Sequence, residues 1–245
     1  MTARAPITPF EAEGVLFDLD GVLTDTAAVH RRAWAELFVP FLAGAAPDAA
    51  PYTDADYFAL VDGTARLDGV RAVLRSRGLA LPDGTDGDDV DATTVRGLGN
   101  RKNAAFLRVL DRDGVRPFGG SVALVRALAR ARVPMAVVSS SKNARVVLER
   151  AGLLEYFSVV VDGLVAAGRG IPGKPAPDMF VTAARELGVD PARSVAVEDA
   201  VSGVASAHAG RFWVVGVDRG ADAEALRAAG ADQVVSDLSE LPLPG

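Results

Sequence analysis

The chain has 245 residues, a formal net charge of −6 and no cysteine. Disulfides, thiolate metal sites and thiol nucleophiles are therefore excluded, and the acidic balance argues against a general affinity for nucleic acid, which needs a basic surface to displace phosphate counterions. At 49% hydrophobic and 24% charged residues the composition is that of a globular enzyme, no stretch has the apolar length of a membrane span, and Met1 to Pro9 lacks a leader pattern, so a cytoplasmic protein is expected.

In chain order, Val15, Leu16 and Phe17 read as a buried strand that delivers two carboxylates, Asp18 and Asp20, at its carboxyl end, where open α/β sheets bind ligands. Gly21 lets the backbone turn there. Two acids placed so close together can divide the labour, one attacking or holding a metal while the other exchanges protons. An Asp-x-Asp-Gly tetrad also occurs in calcium loops and in plain turns with solvated acids, although the remaining calcium ligands are missing here. From Asp25 a helix follows in which Thr26, His30 and Trp34 recur every four residues on one face.

AGAAPDAAP, between Ala43 and Pro51, reads as a linker, followed by short helices over Asp54 to Leu60 and Leu67 to Arg77. Asp83 to Asp91 is an acidic, glycine-rich loop read as solvated. A helix is predicted over Asn100 to Asp113 with Lys102 in its first turn, where a lysine opposes the helix dipole and so has another purpose. After Pro117 strands and helices alternate. Strands are predicted at Met135 to Ser139, Val159 to Asp162, Ser194 to Glu198, Phe212 to Val217 and Gln233 to Val235, with a long loop from Asp162 to Lys174. The pattern is a doubly wound parallel sheet, Rossmann-like, formed by residues 1–32 and 116–245, with an inserted helical domain over 33–115. Only three of the 26 basic residues are lysine, Lys102, Lys142 and Lys174, and each falls in a candidate site segment. A compact ammonium serves a crowded phosphate site where a planar guanidinium cannot.

DLDGVLTDT resembles the first motif of the haloacid dehalogenase superfamily of phosphatases and phosphomutases. MAVVSSSKN, GKPAPDMF and VAVEDAVSG resemble the second, third and fourth motifs, in family order. The resemblance implies a haloacid dehalogenase-like core with a helical cap. It makes Asp18 the nucleophile and Asp20 the general acid and base. Ser139 binds the transferring phosphoryl group and Lys174 neutralises it. Mg2+ is held by Asp18, the carbonyl oxygen of Asp20, Glu198 and Asp199.

A cap inserted between the first two motifs, together with DGVLTDTAAVHRRAW and SSSKN, resembles the β-phosphoglucomutase family. That resemblance implies that Thr26, His30 and Lys102 form a hinge-side group that admits Asp20 only when a sugar phosphate closes the cap. The phosphate that is not transferred falls to Gly63, Thr64 and Arg66 of the cap and to Ser140, Ser141, Lys142 and Asn143. The implied reaction interconverts β-D-glucose 1-phosphate and glucose 6-phosphate through an aspartyl-phosphate and a bisphosphate. The alternative is a magnesium-dependent sugar-phosphate phosphatase with the same core. The partner expected is a small sugar phosphate, with no nucleic acid and no membrane, and the protein is expected to be a monomer.

Overall fold

The computed structural model describes residues 7–61, 66–85, 87–220 and 223–242. Six strands, β1 (Val15–Phe17), β2 (Met135–Val138), β3 (Val159–Val161), β4 (Val195–Glu198), β5 (Trp213–Val217) and β6 (Gln233–Val235), form one parallel sheet among the described residues. Its order is β3-β2-β1-β4-β5-β6. The chain builds outward from β1 to β3 and then crosses to the other side of β1 to lay down β4, so β1 and β4 flank the point where the order reverses. Crevices at the carboxyl ends of strands at such a point are where open sheets bind ligands. In register, Leu16 lies between Ala136 and Ala196. Strands covered on both faces by helices must be apolar throughout, and β1, β2, β4 and β5 are buried at every position.

The helices are α1 (Thr26–Ala45), α2 (Asp54–Asp56), α3 (Arg66–Ser76), α4 (Val95–Asp113), α5 (Gly119–Arg130), α6 (Ala144–Arg150), α7 (Gly163–Arg169), α8 (Asp178–Leu187), α9 (Val201–Ala209) and α10 (Ala223–Ala228). The chain divides into two compact units, Met1–Thr26 with Val115–Gly245, and Ala27–Gly114. The first unit is the sheet with its helices; Phe180, Phe212 and Met179 are at most 1% exposed in its core. The second unit is helical and closes around Trp34, Leu37, Phe38, Val73 and Leu98. Because α1 is continuous, the second unit starts in its first turn at Ala27 rather than at residue 33. Among the described residues no helix is long and apolar enough to cross a membrane.

Two local expectations change. Helix α4 begins at Val95, five residues before the sequence reading, because the glycines of RGLGN serve packing rather than a turn: a β-carbon on Gly97 would meet Ala92 O at 2.2 Å and one on Gly99 would meet Leu67 Cδ2 at 2.7 Å. Thr94 caps it by accepting from Gly97 N at 2.9 Å. The segment after Asp162 is helix α7, not a long loop. Asp162 is its N-cap, accepting from Leu164 N and Val165 N, and Gly170 ends it in the left-handed conformation at φ 64°. The acidic segment is a largely exposed loop, as expected, and Asp88 steadies it by accepting from Thr85 N at 3.1 Å, Thr85 Oγ1 at 2.7 Å and Thr94 Oγ1 at 2.5 Å.

Candidate active site

Strand β1 ends at Phe17, but Asp18 keeps its alignment by donating its N–H to Val197 O at 2.9 Å. The chain then leaves the sheet in a tight turn. Asp20 therefore lies in that turn rather than on the strand, and the turn sets where it stands relative to Asp18. Thr26 Oγ1 donates to Asp20 Oδ1, and Gly21 N donates to Thr24 O at 2.9 Å. Gly21 has φ 81°, and a β-carbon there would fall 1.8 Å from Asp199 Oδ2. Glycine is needed twice over, for the backbone conformation and for the room left to Asp199.

Lys174 reaches the same place from the segment before α8. Its ammonium donates to Asp18 Oδ1 at 2.5 Å, to Glu198 Oε1, and to Val138 O at 3.0 Å. The Lys174–Pro175 peptide is cis. Burial by itself lowers the affinity of Lys174 for its proton, but Asp18 and Glu198 outweigh burial and raise its pKa. Burial, reinforced by Asp18 and opposed by Lys174, pushes Glu198 up to about 7. Asp199 is driven well above the ordinary carboxylate range by burial and by the charges of Asp18, Glu198 and Asp20. Asp18, Glu198 and Asp199 each offer a carboxylate oxygen, and these lie within 4.8 Å of one another. Three hard anionic ligands beside a single ammonium leave an excess of negative charge, and Gly21 leaves room beside Asp199. The donor set fits a divalent cation of the magnesium kind.

Ser139, fully buried at the end of β2, accepts from Ser141 N at 3.1 Å, and Ser141 Oγ accepts from Asn143 N at 3.2 Å. The segment thus curls around its own hydroxyls on the way into α6, with Ser140 and Lys142 exposed. A helix entered this way presents free N–H groups to an anion.

Within the helical unit, Lys102 is 5% exposed and lies 5.1 Å from the ring centres of both Trp34 and Phe106. Its Nζ is 2.7 Å from His30 Nδ1, and the His30 ring stacks on Phe106 at 4.5 Å. Burial, Lys102 and Arg66 hold His30 well below its usual pKa, so the imidazole is neutral, with Nδ1 accepting and Nε2 carrying the proton. Since α4 starts at Val95, Lys102 is past the first turn, so the dipole does not explain it, and its side chain is engaged in this packed contact. Burial also lowers the pKa of Arg66, and no carboxylate among the described residues pairs with it. Gly63 and Thr64 lie outside the described residues.

Two glycines were not foreseen as parts of the site. A β-carbon on Gly203 of α9 would fall 1.9 Å from Glu198 Oε1, and one on Gly163 would fall 2.5 Å from Ser140 O and 3.1 Å from Lys142 N. Gly203 closes the VAVEDAVSG motif and Gly163 follows Asp162, but a glycine shortly after an acidic strand end is too common to carry a role by itself.

The haloacid dehalogenase-like hydrolase family matches residues 12–211. The β-phosphoglucomutase of Mycobacterium tuberculosis is 47% identical over 242 residues, covering 95% of this chain and 92% of its own. The chain belongs to the β-phosphoglucomutase-like family of the haloacid dehalogenase superfamily. It is accordingly an enzyme with an aspartate nucleophile. Within that superfamily, hexitol phosphatase A of Escherichia coli is 29% identical, covering 94% of this chain and 93% of its own. The structure of CbbY from Rhodobacter sphaeroides in complex with phosphate is 27% identical with a TM-score of 0.71, covering 94% of this chain and 96% of that one. The parallel sheet with helices on its faces is the haloacid dehalogenase fold.

Proposed function

We propose that this enzyme interconverts β-D-glucose 1-phosphate and glucose 6-phosphate through an aspartyl-phosphate and a bisphosphate. The observation that carries the reading is the end-to-end similarity, at 47% identity, to a β-phosphoglucomutase. Asp18 is the nucleophile: its oxygen attacks phosphorus, the phosphorus–oxygen bond to the sugar breaks, and the leaving oxygen takes a proton from Asp20. Lys174, already bonded to Asp18, neutralises charge on the transferring group, and Ser139 donates to it. Asp18, Asp20 through its carbonyl, Glu198 and Asp199 hold Mg2+, which when bound offsets the repulsion between carboxylate and phosphoryl oxygens.

A mutase must keep its aspartyl-phosphate from water until a sugar hydroxyl arrives. The Thr26 hydroxyl engages the Asp20 carboxylate, and Asp20 has to leave it before it can take a proton from an acceptor. That arrangement supports gating by Thr26, His30 and Lys102. Residues 33–115 then act as the cap. Arg66, partly buried and with no carboxylate partner among the described residues, is the cap group for the second phosphate, together with Gly63 and Thr64, and Ser140, Ser141, Lys142 and Asn143 complete its binding.

A phosphatase reading is favoured by the sugar-phosphate phosphatases among the relatives, such as hexitol phosphatase A. A phosphorus NMR time course decides between the two, using Mg2+, β-glucose 1-phosphate and a trace of β-glucose 1,6-bisphosphate. Glucose 6-phosphate growing with little free phosphate is the mutase outcome; accumulation of inorganic phosphate overturns it in favour of the phosphatase.

A further inference from the structure

The turn that carries Asp20 is tied down at several of its carbonyls. Leu19 O accepts from Leu23 N and Thr24 N, Val22 O accepts from Ser121 Oγ at 2.6 Å, and Leu23 O accepts from Phe118 N at 3.0 Å. Gly21 O, on the residue next to Asp20, accepts at 2.9 Å from Nε of Arg219, a residue 198 positions away in the loop after β5. No motif in the sequence singles out Arg219.

Its guanidinium is itself immobilised. The central carbon lies 3.8 Å from the Phe118 ring centre, and Nη1 donates to Ser236 O at 3.1 Å with Asp237 Oδ2 at 3.6 Å. The third nitrogen, Nη2, is buried and makes no hydrogen bond among the described residues. A charged group held against a ring, with one buried nitrogen unpaired among the described residues, is an expensive way to brace a surface segment. Its placement is accounted for by the direction in which Nε points. The Gly21 carbonyl lies one peptide beyond Asp20, and a β-carbon on Gly21 would meet Asp199 Oδ2 at 1.8 Å. Rotation of the peptide that carries it would move Gly21, to which Asp20 is joined and beside which Asp199 sits.

We propose that Arg219 is a positioning residue for proton transfer: by holding the Gly21 carbonyl it sets where Asp20 stands relative to the oxygen leaving the phosphorus. This rests on the reading of Asp18 as nucleophile and Asp20 as acid, and is indifferent to whether the phosphoryl group goes on to a sugar or to water. Lysine cannot replace it, because an ammonium offers neither the planar stack on Phe118 nor a fixed Nε–H direction.

The test is first-turnover release of phenol from phenyl phosphate and of p-nitrophenol from p-nitrophenyl phosphate, with Mg2+, in wild type, Arg219→Gln and Arg219→Lys. Phenolate is the poorer leaving group and needs the proton from Asp20; p-nitrophenolate leaves with little help. Both variants are expected to lose roughly ten- to a hundredfold more rate on phenyl phosphate than on p-nitrophenyl phosphate. Amide hydrogen exchange of residues 19–26 is expected to quicken while that of strands β2 and β4 does not. An equal loss on both substrates, or unchanged exchange in 19–26, overturns the proposal and leaves Arg219 a plain brace. If wild type releases neither product, the reading of Asp18 and Asp20 fails, and the positioning role falls with it.

Discussion

Glu198 rests directly on the backbone of Gly203: a β-carbon at that glycine would come within 1.9 Å of Glu198 Oε1 and 2.0 Å of its carboxyl carbon. The carboxylate has nowhere to go, since it accepts from Lys174 and from the N–H groups of Asp199 at 3.0 Å and Ala200 at 3.2 Å. In an ordinary helix interior, glycine to alanine gains about 1 kcal/mol. Here Gly203→Ala is expected to lose about 1–2 kcal/mol instead, because it pushes a buried acid off its cation. Urea unfolding of the two proteins checks the sign, and p-nitrophenyl phosphate turnover is expected to fall at least tenfold.

Gly163→Ala tests the segment from Ser139 to Asn143. The new methyl would press on backbone atoms of Ser140 and Lys142, which cannot swing aside as a side-chain end can. If this segment binds the second phosphate, as proposed, displacing it by a fraction of an ångström is expected to raise the KM for a bisphosphorylated sugar roughly tenfold. Chemistry on p-nitrophenyl phosphate, with no second phosphate, is expected to fall much less. Steady-state kinetics on both substrates read the difference.

The His30–Lys102 contact predicts how stability depends on pH. His30 is held neutral when folded, well below the value of 6.5 it has when free. As pH falls through 6.5 the unfolded chain takes up a proton that the folded protein refuses, so stability drops, whereas above 6.5 the group contributes no slope. By pH 5 the loss from this residue amounts to about 1–2 kcal/mol. His30→Gln keeps an acceptor for Lys102 without titrating, and unfolding series of both proteins between pH 5 and 8 are expected to diverge only below 6.5.

The oxygen cluster of Asp18, Glu198 and Asp199 predicts metal-linked stability. Mg2+ at a hundred times its dissociation constant is expected to stabilise the fold by about 2.7 kcal/mol, seen as a higher thermal midpoint. Chelation is expected to remove both that gain and all turnover. Asp199→Ala is expected to make the midpoint insensitive to Mg2+, and a midpoint in that variant that still climbs with Mg2+ would place the ion elsewhere.

Much of this was legible in the residues. Strands buried on both faces must be apolar along their whole length, so VLF, MAVV, VAVE and WVVGV announced themselves, and the acids, serine and lysine that follow them lie in short motifs whose order along the chain is part of the signal. Local hydrogen-bonding chemistry is harder to read: Asp162 ends a predicted strand, yet its carboxylate caps α7, and α4 starts at Val95 rather than Asn100 because a glycine that permits close packing is written the same way as one that permits a turn. What only the tertiary structure decided depends on neighbours far apart in sequence. The sequence placed Lys102 near a helix start, but its meaning lies in Trp34, Phe106 and His30 closing around it. Nothing near Gly203, Gly163 or Arg219 says that one leaves room for Glu198, another for the backbone of Ser140, and the third for the carbonyl beside Asp20. Periodicity and motif order are properties of a single stretch of chain, whereas steric room and the direction of a hydrogen bond exist only between stretches that folding brings together.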